Sequence, residues 1–484
     1  MNSNKVFSNL IWKFFERCGA QLVSLVVQIV LTRLLAPEEF GTITLITAFI
    51  TILQVFVDSG FGTALIQKKD SDDTDFSSVF YFNVVICLVI YLLLYIASPL
   101  IADFYERPEL CKLTRALGLV IIISGVRNIQ QAYIAKNMLF KRYFFVTLGG
   151  TLAGAFAGIF LAYRGYGVWA LVAQTLTNNL ISVIILWFTV KWRPKALFSF
   201  DRLKGLFSFG WKLLVSSLLD TVFQQLRTLV IGKKYSDDDL AYFNKGNYVP
   251  NTIVLSINAS IESVMLSALS AEQDTVTRVR EMTRRSIQLS SYIMWPIMIG
   301  IFACAEPLVS FVFTDKWLPC VPYIRIFCVY YALYPIHTSN LNAIKAVGRS
   351  DMFLKLEIIK KLMNLAILFA TMEFGVMAMA YGVLLEGILS QIINAWPNRK
   401  LIGYPYLQQF RDIISSVIMA GLMGLAVYAV GFLGLSSGLT LLIQIPLGIA
   451  VYAALSLILK PESYKYLKQT AGALLHRSEK AEEL

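Results

Sequence analysis

Apolar runs of roughly 20 residues or more recur along this chain, each long enough to cross a bilayer core of about 30 Å. Charged or Gly/Pro-containing breaks separate them. They predict fourteen spanning helices, at 8–35, 40–66, 77–101, 113–136, 142–163, 166–190, 206–232, 240–269, 286–313, 319–346, 352–373, 376–397, 410–433 and 437–459. The first run carries Glu16 and Arg17 inside it and lacks a small-residue cleavage site, so it reads as a spanning helix and not as a cleaved signal.

Polar positions within these runs are patterned. Arg17, Gln21, Ser24 and Gln28 recur along the first span, and 200 positions later Ser217, Thr221, Gln224 and Thr228 recur along the seventh. Steps of four, three and four residues place each set on one helical stripe. Polar side chains inside a bilayer face a bundle interior or a water-filled cavity. Two matched stripes therefore predict two related halves around such a cavity, an arrangement found in transporters.

The repeat extends beyond the stripes. LAPEEFG follows the first span and YSDDDLA the seventh, with Pro37-Glu38-Glu39 lying over Asp237-Asp238-Asp239 and Phe40 over Leu240. ALIQKKD after the second span and ALSAEQD after the eighth are 204 apart, a slip of about one helical turn. Six spans per half starting on the same side make a parallel repeat. The expected fold is an all-α integral membrane protein of two six-helix lobes plus a C-terminal helix pair. The expected divisions are an N-terminal lobe 1–190, an interfacial linker 191–205, a C-terminal lobe 206–400, a final pair 401–460 and a tail 461–484. The linker alternates Trp, Phe and Leu with Lys and Arg, as an interfacial segment does. Between Asp412 and Lys460 the final pair holds no charge, so it is expected to face lipid or a lipid-like ligand.

Composition agrees with this picture. Of 484 residues, 57% are hydrophobic and 15% charged, and the mean hydropathy is +0.63. A soluble chain of this length needs far more charged surface. The net charge of +12 is spread among short loops and reads as the positive-inside rule, not as a nucleic-acid footprint. Placing both termini in the cytoplasm puts about 25 basic residues inside and about 10 outside. Among the inside clusters are Lys68/Lys69, Lys191/Arg193/Lys195/Arg202/Lys204 and Arg278/Arg280/Arg284/Arg285. The six cysteines form no CxxC or metal-ligand spacing and read as small hydrophobes, with a Cys111–Cys320 bridge the minority reading.

Ionisable residues at membrane depth are the strongest functional signal. Arg127 lies mid-span in SGVRNIQQAY with Gln131 one turn on. In the corresponding span of the second half, His337, Asn340 and Asn342 occupy similar depth. Arg17 and Lys212 either serve a cavity or snorkel to headgroups, and Arg227 completes the cations. Asp58 and Glu262 coincide under the 204-residue offset. With Glu16, Asp220 and Glu386 they are candidates either for ion coupling or for charge pairing. Glu357 with Lys360 or Lys361 reads as a local ion pair. Arginine's planar fork suits phosphate, so a cationic cavity calls for an anionic, phosphorylated substrate. Gln21, Ser24, Gln28, Gln131, Thr221, Gln224, Asn258 and His337 are the candidate polar residues lining the cavity. There is no P-loop, no GxSxG and no metal motif, and two histidines offer little to a histidine-based site. No enzyme activity, cofactor or metal is expected.

LTRLLAPEEFGTITLI, VDSGFGTALIQKKD, the WRPK…FSFGWKLLVSSLL linker and MLSALSAEQD together resemble the polysaccharide-transport branch of the multidrug/oligosaccharidyl-lipid/polysaccharide exporter superfamily. The chain looks most like Wzx-type flippases of the colanic acid and teichuronic acid exporter group. The resemblance implies two alternating lobes in a bacterial inner membrane, moving an undecaprenyl-diphosphate-linked oligosaccharide from the cytoplasmic to the outer leaflet for exopolysaccharide, O-antigen or capsule assembly. It implies a cationic cavity, which maps onto Arg17, Arg127, Lys212 and Arg227, and a lipid-tail groove, which maps onto the last two spans. Arg17 is Ser217 in the second half, so the cationic site would be weighted toward the first. Expected partners are the lipid-linked oligosaccharide, membrane lipid, and a polysaccharide polymerase with its chain-length protein. A monomer without a cofactor is expected, with coupling to a proton or sodium gradient the minority reading of the intramembrane acids beside charge pairing. The alternatives are a cation-coupled drug exporter, which would have about twelve spans, and a membrane-embedded glycan polymerase or ligase, which would need a large outer loop.

Overall fold

The computed structural model describes residues 21, 23–58, 60–271 and 275–468, without the side chains of 208–209, 256, 259–264, 266–268 and 270–271. Every regular element among them is helical. In chain order they are α1 (Val23–Leu34), α2 (Pro37–Asp58), α3 (Phe61–Gln67), α4 (Asp73–Tyr105), α5 (Glu109–Lys136), α6 (Phe140–Tyr163), α7 (Val168–Thr189), α8 (Phe200–Lys234) and α9 (Asp237–Ala271). Then follow α10 (Val276–Phe313), a 3-10 turn (Asp315–Cys320), α11 (Val321–Ala332), α12 (Tyr334–Ala346), α13 (Ser350–Thr371), α14 (Val376–Ala395), α15 (Asn398–Leu401), α16 (Tyr406–Val430) and α17 (Ser437–Leu459). Among the described residues eight helices are long and apolar enough to cross a membrane, and α8, bent by 50° after Phe207, makes a ninth. The remaining expected spans fall on α1, α5, α9, α11 with α12, and α13, which are shorter or more polar.

The repeat has a structural counterpart. Pro37 opens α2 and Asp237 opens α9, at the 200-residue offset. Gln67 and Ala271 close the two stretches at the 204-residue offset. The first stretch is interrupted by Gly60, whose φ of +71° ends regular helix, while α9 runs unbroken with one extra turn. Two expected spans are thus discontinuous. The second is α2 plus α3, and the tenth is α11 plus α12, where Pro335 removes a backbone donor just after Leu333.

The chain packs as two compact units, 1–241 and 242–484. In the first, α6 and α7 meet along Gly150, Gly154 and Gly158. A Cβ at these positions would press on Ser182, Asn178 and Gln174 of α7. Apolar burial drives little helix association in lipid, so this close backbone approach supplies the packing instead. A second cluster joins Phe61, Phe76, Val79, Phe80, Ile134 and Trp192. The irregular 190–199 backbone is held there because buried N–H groups need acceptors. Lys195 N donates to Ser77 Oγ at 3.0 Å and Ser199 N to Ser78 Oγ at 2.9 Å. Trp192 Nε1 donates to Asp73 Oδ1 at 3.2 Å. Trp192, Leu203 and Leu206 of the linker region are therefore buried, while Leu197, Phe198, Phe200 and Phe207 are exposed. A charged rim encloses this cluster. Asp75 pairs with Lys68 at 2.7 Å, and Asp72 caps α4 and pairs with Arg202 at 2.6 Å. The Asp75 N–H, and then Arg202, hold the Asp72 carboxyl below the usual carboxylate range.

At the other end of this unit, α8 packs against α2. The buried Asp237 carboxylate pairs with Arg107 and accepts from Thr42 Oγ1 at 2.9 Å. Glu106 beside it pairs with Lys233 at 2.8 Å. The contact requires Gly41, because a Cβ there would overlap the Asp237 carbonyl.

In the second unit α10 is the spine, packed by α11, α12, α16 and α17. Ile287, Ile336, Tyr404 and Ile413 form one core and Ala303, Cys304, Met423, Val427 and Leu441 another. Near the start of the unit Lys245 is buried, its ammonium 5.0 Å from the ring centres of Phe313 and Trp317. The minority disulfide reading is not realised, as Cys111 and Cys320 are both free thiols.

Gly41→Ala is expected to cost about 1–3 kcal/mol through overpacking, read as a fall in unfolding temperature of the detergent-purified protein. Gly205→Ala in α8, whose Cβ would meet nothing, should leave that temperature unchanged or raise it.

Candidate functional site

One face of α5 gathers the polar groups of the first unit. Ser124, Arg127, Asn128 and Gln131 are spaced i, i+3, i+4, i+7 and so share a stripe. Each reaches a different neighbour. Ser124 Oγ accepts from Gln54 Nε2 at 3.0 Å. Arg127 Nη1 donates to Asn179 Oδ1 of α7 at 3.0 Å. Asn128 Nδ2 donates to Val57 O at 2.9 Å and to Asp58 Oδ1 at 3.1 Å. Gln131 Nε2 donates to the Tyr143 hydroxyl of α6.

Arg127 is anchored by a neutral amide, which Thr175 O orients from below at 2.9 Å. Its Nε is buried and makes no hydrogen bond to the protein. Asp58 is the acid in its electrostatic reach, exposed at the end of α2 where the helix breaks. Arg127, Gln131 and Asp58, singled out separately in the sequence, thus belong to one cluster.

The polar stripes are only partly within view. Glu16 and Arg17 lie outside the described residues, as does the Glu262 side chain. Gln21 is exposed, and on α1 Ser24 and Gln28 are half-buried. On α8, Lys212, Ser217 and Gln224 are exposed, Asp220, Thr221 and Arg227 half-buried, and Thr228 buried. Gln28, Asp220 and Arg227 are engaged by neighbours. Asn258 is half-buried on α9.

In the second unit several candidates have partners within the protein. His337 Nδ1 shares a hydrogen bond with Asn394 Nδ2 at 2.8 Å and lies 5.4 Å from the Tyr334 ring. Asn340 is fully buried and exchanges hydrogen bonds with Gln409 at 2.7 and 3.0 Å, while Asn398 donates to it at 2.7 Å. Lys360 pairs with Glu357 at 2.6 Å, the expected local ion pair. Glu386 is engaged on α14.

Two features go beyond the sequence reading: the third wall that α10 adds to the apolar space beside the last two spans, and a polar series at its end. An apolar cavity of about 700 Å³ runs between α10, α16 and α17, from Tyr292, Ser456 and Tyr464 at one end to Leu308 and Leu441 at the other. Beside that first end a polar series, Arg284, Gln288 and Tyr292, climbs α10. Arg284 grips Asp412 through two hydrogen bonds of 2.9 and 2.7 Å, Gln288 donates to Glu462 at 3.1 Å, and Tyr292 donates to Ser456 at 2.7 Å. The i, i+4, i+8 spacing was present in the sequence, but Arg284 read only as loop charge. Among the described residues no group of three or more His, Cys, Asp or Glu could hold a metal ion.

Residues 30–322 match the profile of a family described as polysaccharide biosynthesis protein. The chain belongs to this family. Among family relatives, the teichuronic acid biosynthesis protein TuaB of Bacillus subtilis is 23% identical over 88% of each chain. The succinoglycan biosynthesis transport protein ExoT of Rhizobium meliloti is 21% identical over 98% of this chain and 97% of its own. The lipopolysaccharide biosynthesis protein WzxC of Escherichia coli is 23% identical over 85% and 83%. Two solved structures share the fold. The lipid II flippase MurJ in its inward closed conformation superposes with a TM-score of 0.75, covering 94% of this chain and 98% of its own, at 17% identity. An inward-facing MATE-family multidrug resistance transporter superposes with a TM-score of 0.62, covering 79% and 94%, at 16% identity. This member of the polysaccharide biosynthesis family is a multi-pass protein of the bacterial inner membrane.

Asn340→Leu removes the centre of a buried amide network and leaves the Gln409 Oε1 acceptor without its donor, at a cost of about 1–3 kcal/mol. Thermal unfolding should register this as a clear destabilisation, whereas Gln224→Leu, on an exposed stripe position, should not shift it.

Proposed function

We propose that this protein is a flippase. It carries an undecaprenyl-diphosphate-linked oligosaccharide from the cytoplasmic to the outer leaflet for cell-surface polysaccharide assembly. The observation that carries the reading is the apolar cavity bounded by α10 and the charge-free helices α16 and α17. A water-soluble substrate needs no such groove, while a polyprenyl tail must stay in an apolar phase throughout transport, since each exposed CH₂ costs about 0.8 kcal/mol. The fold comparison supports this reading. The match to a lipid II flippase covers 94% of this chain, and the match to a multidrug transporter covers 79%.

The diphosphate is assigned to the cations, Arg127 foremost, with Arg17, Lys212 and Arg227. A guanidinium held by a neutral amide keeps its full charge for a ligand, and its buried Nε offers a further donor. Gln21, Ser24, Gln28, Gln131, Thr221, Gln224 and Asn258 would contact the sugars. His337, bonded to Asn394, is a weaker candidate. In this reading both termini are cytoplasmic, fourteen spans form two lobes and a final pair, and the monomer is not an enzyme. Asp58, Asp220, Glu262, Glu386 and Glu16 either couple transport to a proton or sodium gradient or balance the cations. The Arg107–Asp237 contact then lies on the outer side. A polymerase and its chain-length protein would receive the product.

Two substitutions test the site. Arg127→Ala should lower translocation in proteoliposomes at least tenfold without shifting the unfolding temperature. Asn179→Asp should do the same by placing a carboxylate against the guanidinium, whereas Asn179→Ser should retain most activity. Unchanged transport in both Arg127→Ala and Asn179→Asp refutes the assignment.

A further inference from the structure

The apolar cavity has a polar mouth. One turn of α10 from Tyr292, a separate cavity of about 280 Å³ is lined by Arg284, Arg285, Gln288, Glu462, Ser463 and Tyr466, among others. That is room for roughly nine waters at ~30 Å³ each. The two spaces share α10 as one wall. Their other wall is continuous as well, since Ser456, Leu457 and Tyr464 line the apolar space and Glu462 and Ser463 the polar one. The small cup at the end of the apolar slot gathers Arg284, Arg285 and Gln288 together with Glu281 and Glu462. A long apolar slot thus ends in a compact set of cationic and amide donors, the shape of an amphiphile with a compact anionic head.

The contents of the cup point the same way. The tail segment after α17, residues 462–468, forms a short helix that inserts a carboxylate. Glu462 accepts from Gln288 Nε2 at 3.1 Å and lies 3.5 Å from Arg284 Nη2. Arg284 is positioned by Asp412, so its guanidinium is fixed in place. Arg285 makes no ion pair among the described residues and stacks on the Tyr466 ring at 5.6 Å. Glu462 is 68% exposed, and a carboxylate that exposed is weakly held. A diphosphate brings more charge and more acceptor oxygens to the same donors than one carboxylate does.

We propose that this cup is a loading site. It binds the phosphate head of the polyprenyl-linked substrate at the cytoplasmic leaflet, with the tail in the adjoining slot, and Glu462 occupies the head position until the lipid displaces it. The inference rests on the flippase reading and adds a second phosphate site, distinct from the Arg127 cluster. Gln288 and Arg285 are the donors the incoming phosphate gains, with Arg284 behind them, and the tail helix is the displaceable cover.

The test uses the full chain in phosphatidylcholine nanodiscs, in an Arg127→Ala background so that the other cation site does not contribute. The probe is farnesyl diphosphate, with inorganic pyrophosphate and phosphatidylglycerol as comparison arms. Glu462→Gln should tighten farnesyl diphosphate binding about threefold or more, and Arg285→Gln should weaken it about tenfold. Arg285 is exposed, so its substitution should leave the unfolding temperature unchanged. Pyrophosphate should bind at least tenfold more weakly than the farnesyl ester, and phosphatidylglycerol should not compete. The proposal is overturned if neither variant changes affinity, if pyrophosphate binds as well as the lipid, or if phosphatidylglycerol displaces the probe. Those outcomes, with transport by the otherwise unsubstituted protein intact, would remove the loading site and leave the flippase reading standing. Absence of transport in that protein would remove the reading itself.

Discussion

A polar or charged group carried into hydrocarbon must bring its partner along, and this requirement organises both units of the protein. Where a helix breaks or a loop enters the bundle, side chains complete the backbone, as Ser77 and Ser78 do for the 190–199 segment. Where a carboxylate is buried, a cation and a hydroxyl meet it, as Arg107 and Thr42 meet Asp237. Where amides are buried they bind one another, as Asn340, Gln409 and Asn398 do. Arg127 meets the requirement only in part. Its hydrogen-bonded partner is a neutral amide, and its buried Nε makes no hydrogen bond to the protein, a feature it shares with Arg325.

The same requirement explains which parts of the fold were legible in the sequence. Apolar periodicity located the helices, and the start of α9 fell at the 200-residue offset read from the sequence. Breaks inside apolar stretches were missed by hydropathy, because the long apolar stretches outweigh the short Asp58-Ser59-Gly60 interruption in one and the single Pro335 in the other. The length of α10 was also underestimated. Its first ten residues carry Arg278, Arg280, Glu281, Arg284 and Arg285, and such residues read as loop until their partners on α16 and the tail are known.

Site chemistry was legible only within one helix. The shared face of Arg127 and Gln131 follows from spacing alone. The identities of Asn179, Tyr143 and Asp58 as neighbours do not, because they arrive from other helices at long sequence separation. His337 and Asn340 show the same limit. Polarity at membrane depth marked them, but their partners Asn394, Gln409 and Asn398 come from elsewhere in the chain and were not legible from spacing. The apolar cavity was foreshadowed by the absence of charge between Asp412 and Lys460, but its third wall, α10, was not.

The most direct test of the central claim is to compare two substrates in the same proteoliposomes. One is a polyprenyl-diphosphate-linked oligosaccharide scored by its accessibility to an impermeant enzyme, and the other is an organic cation dye. The flippase account predicts protein-dependent translocation of the lipid-linked sugar and no movement of the dye. Export of the dye with no acceleration of the lipid would contradict it.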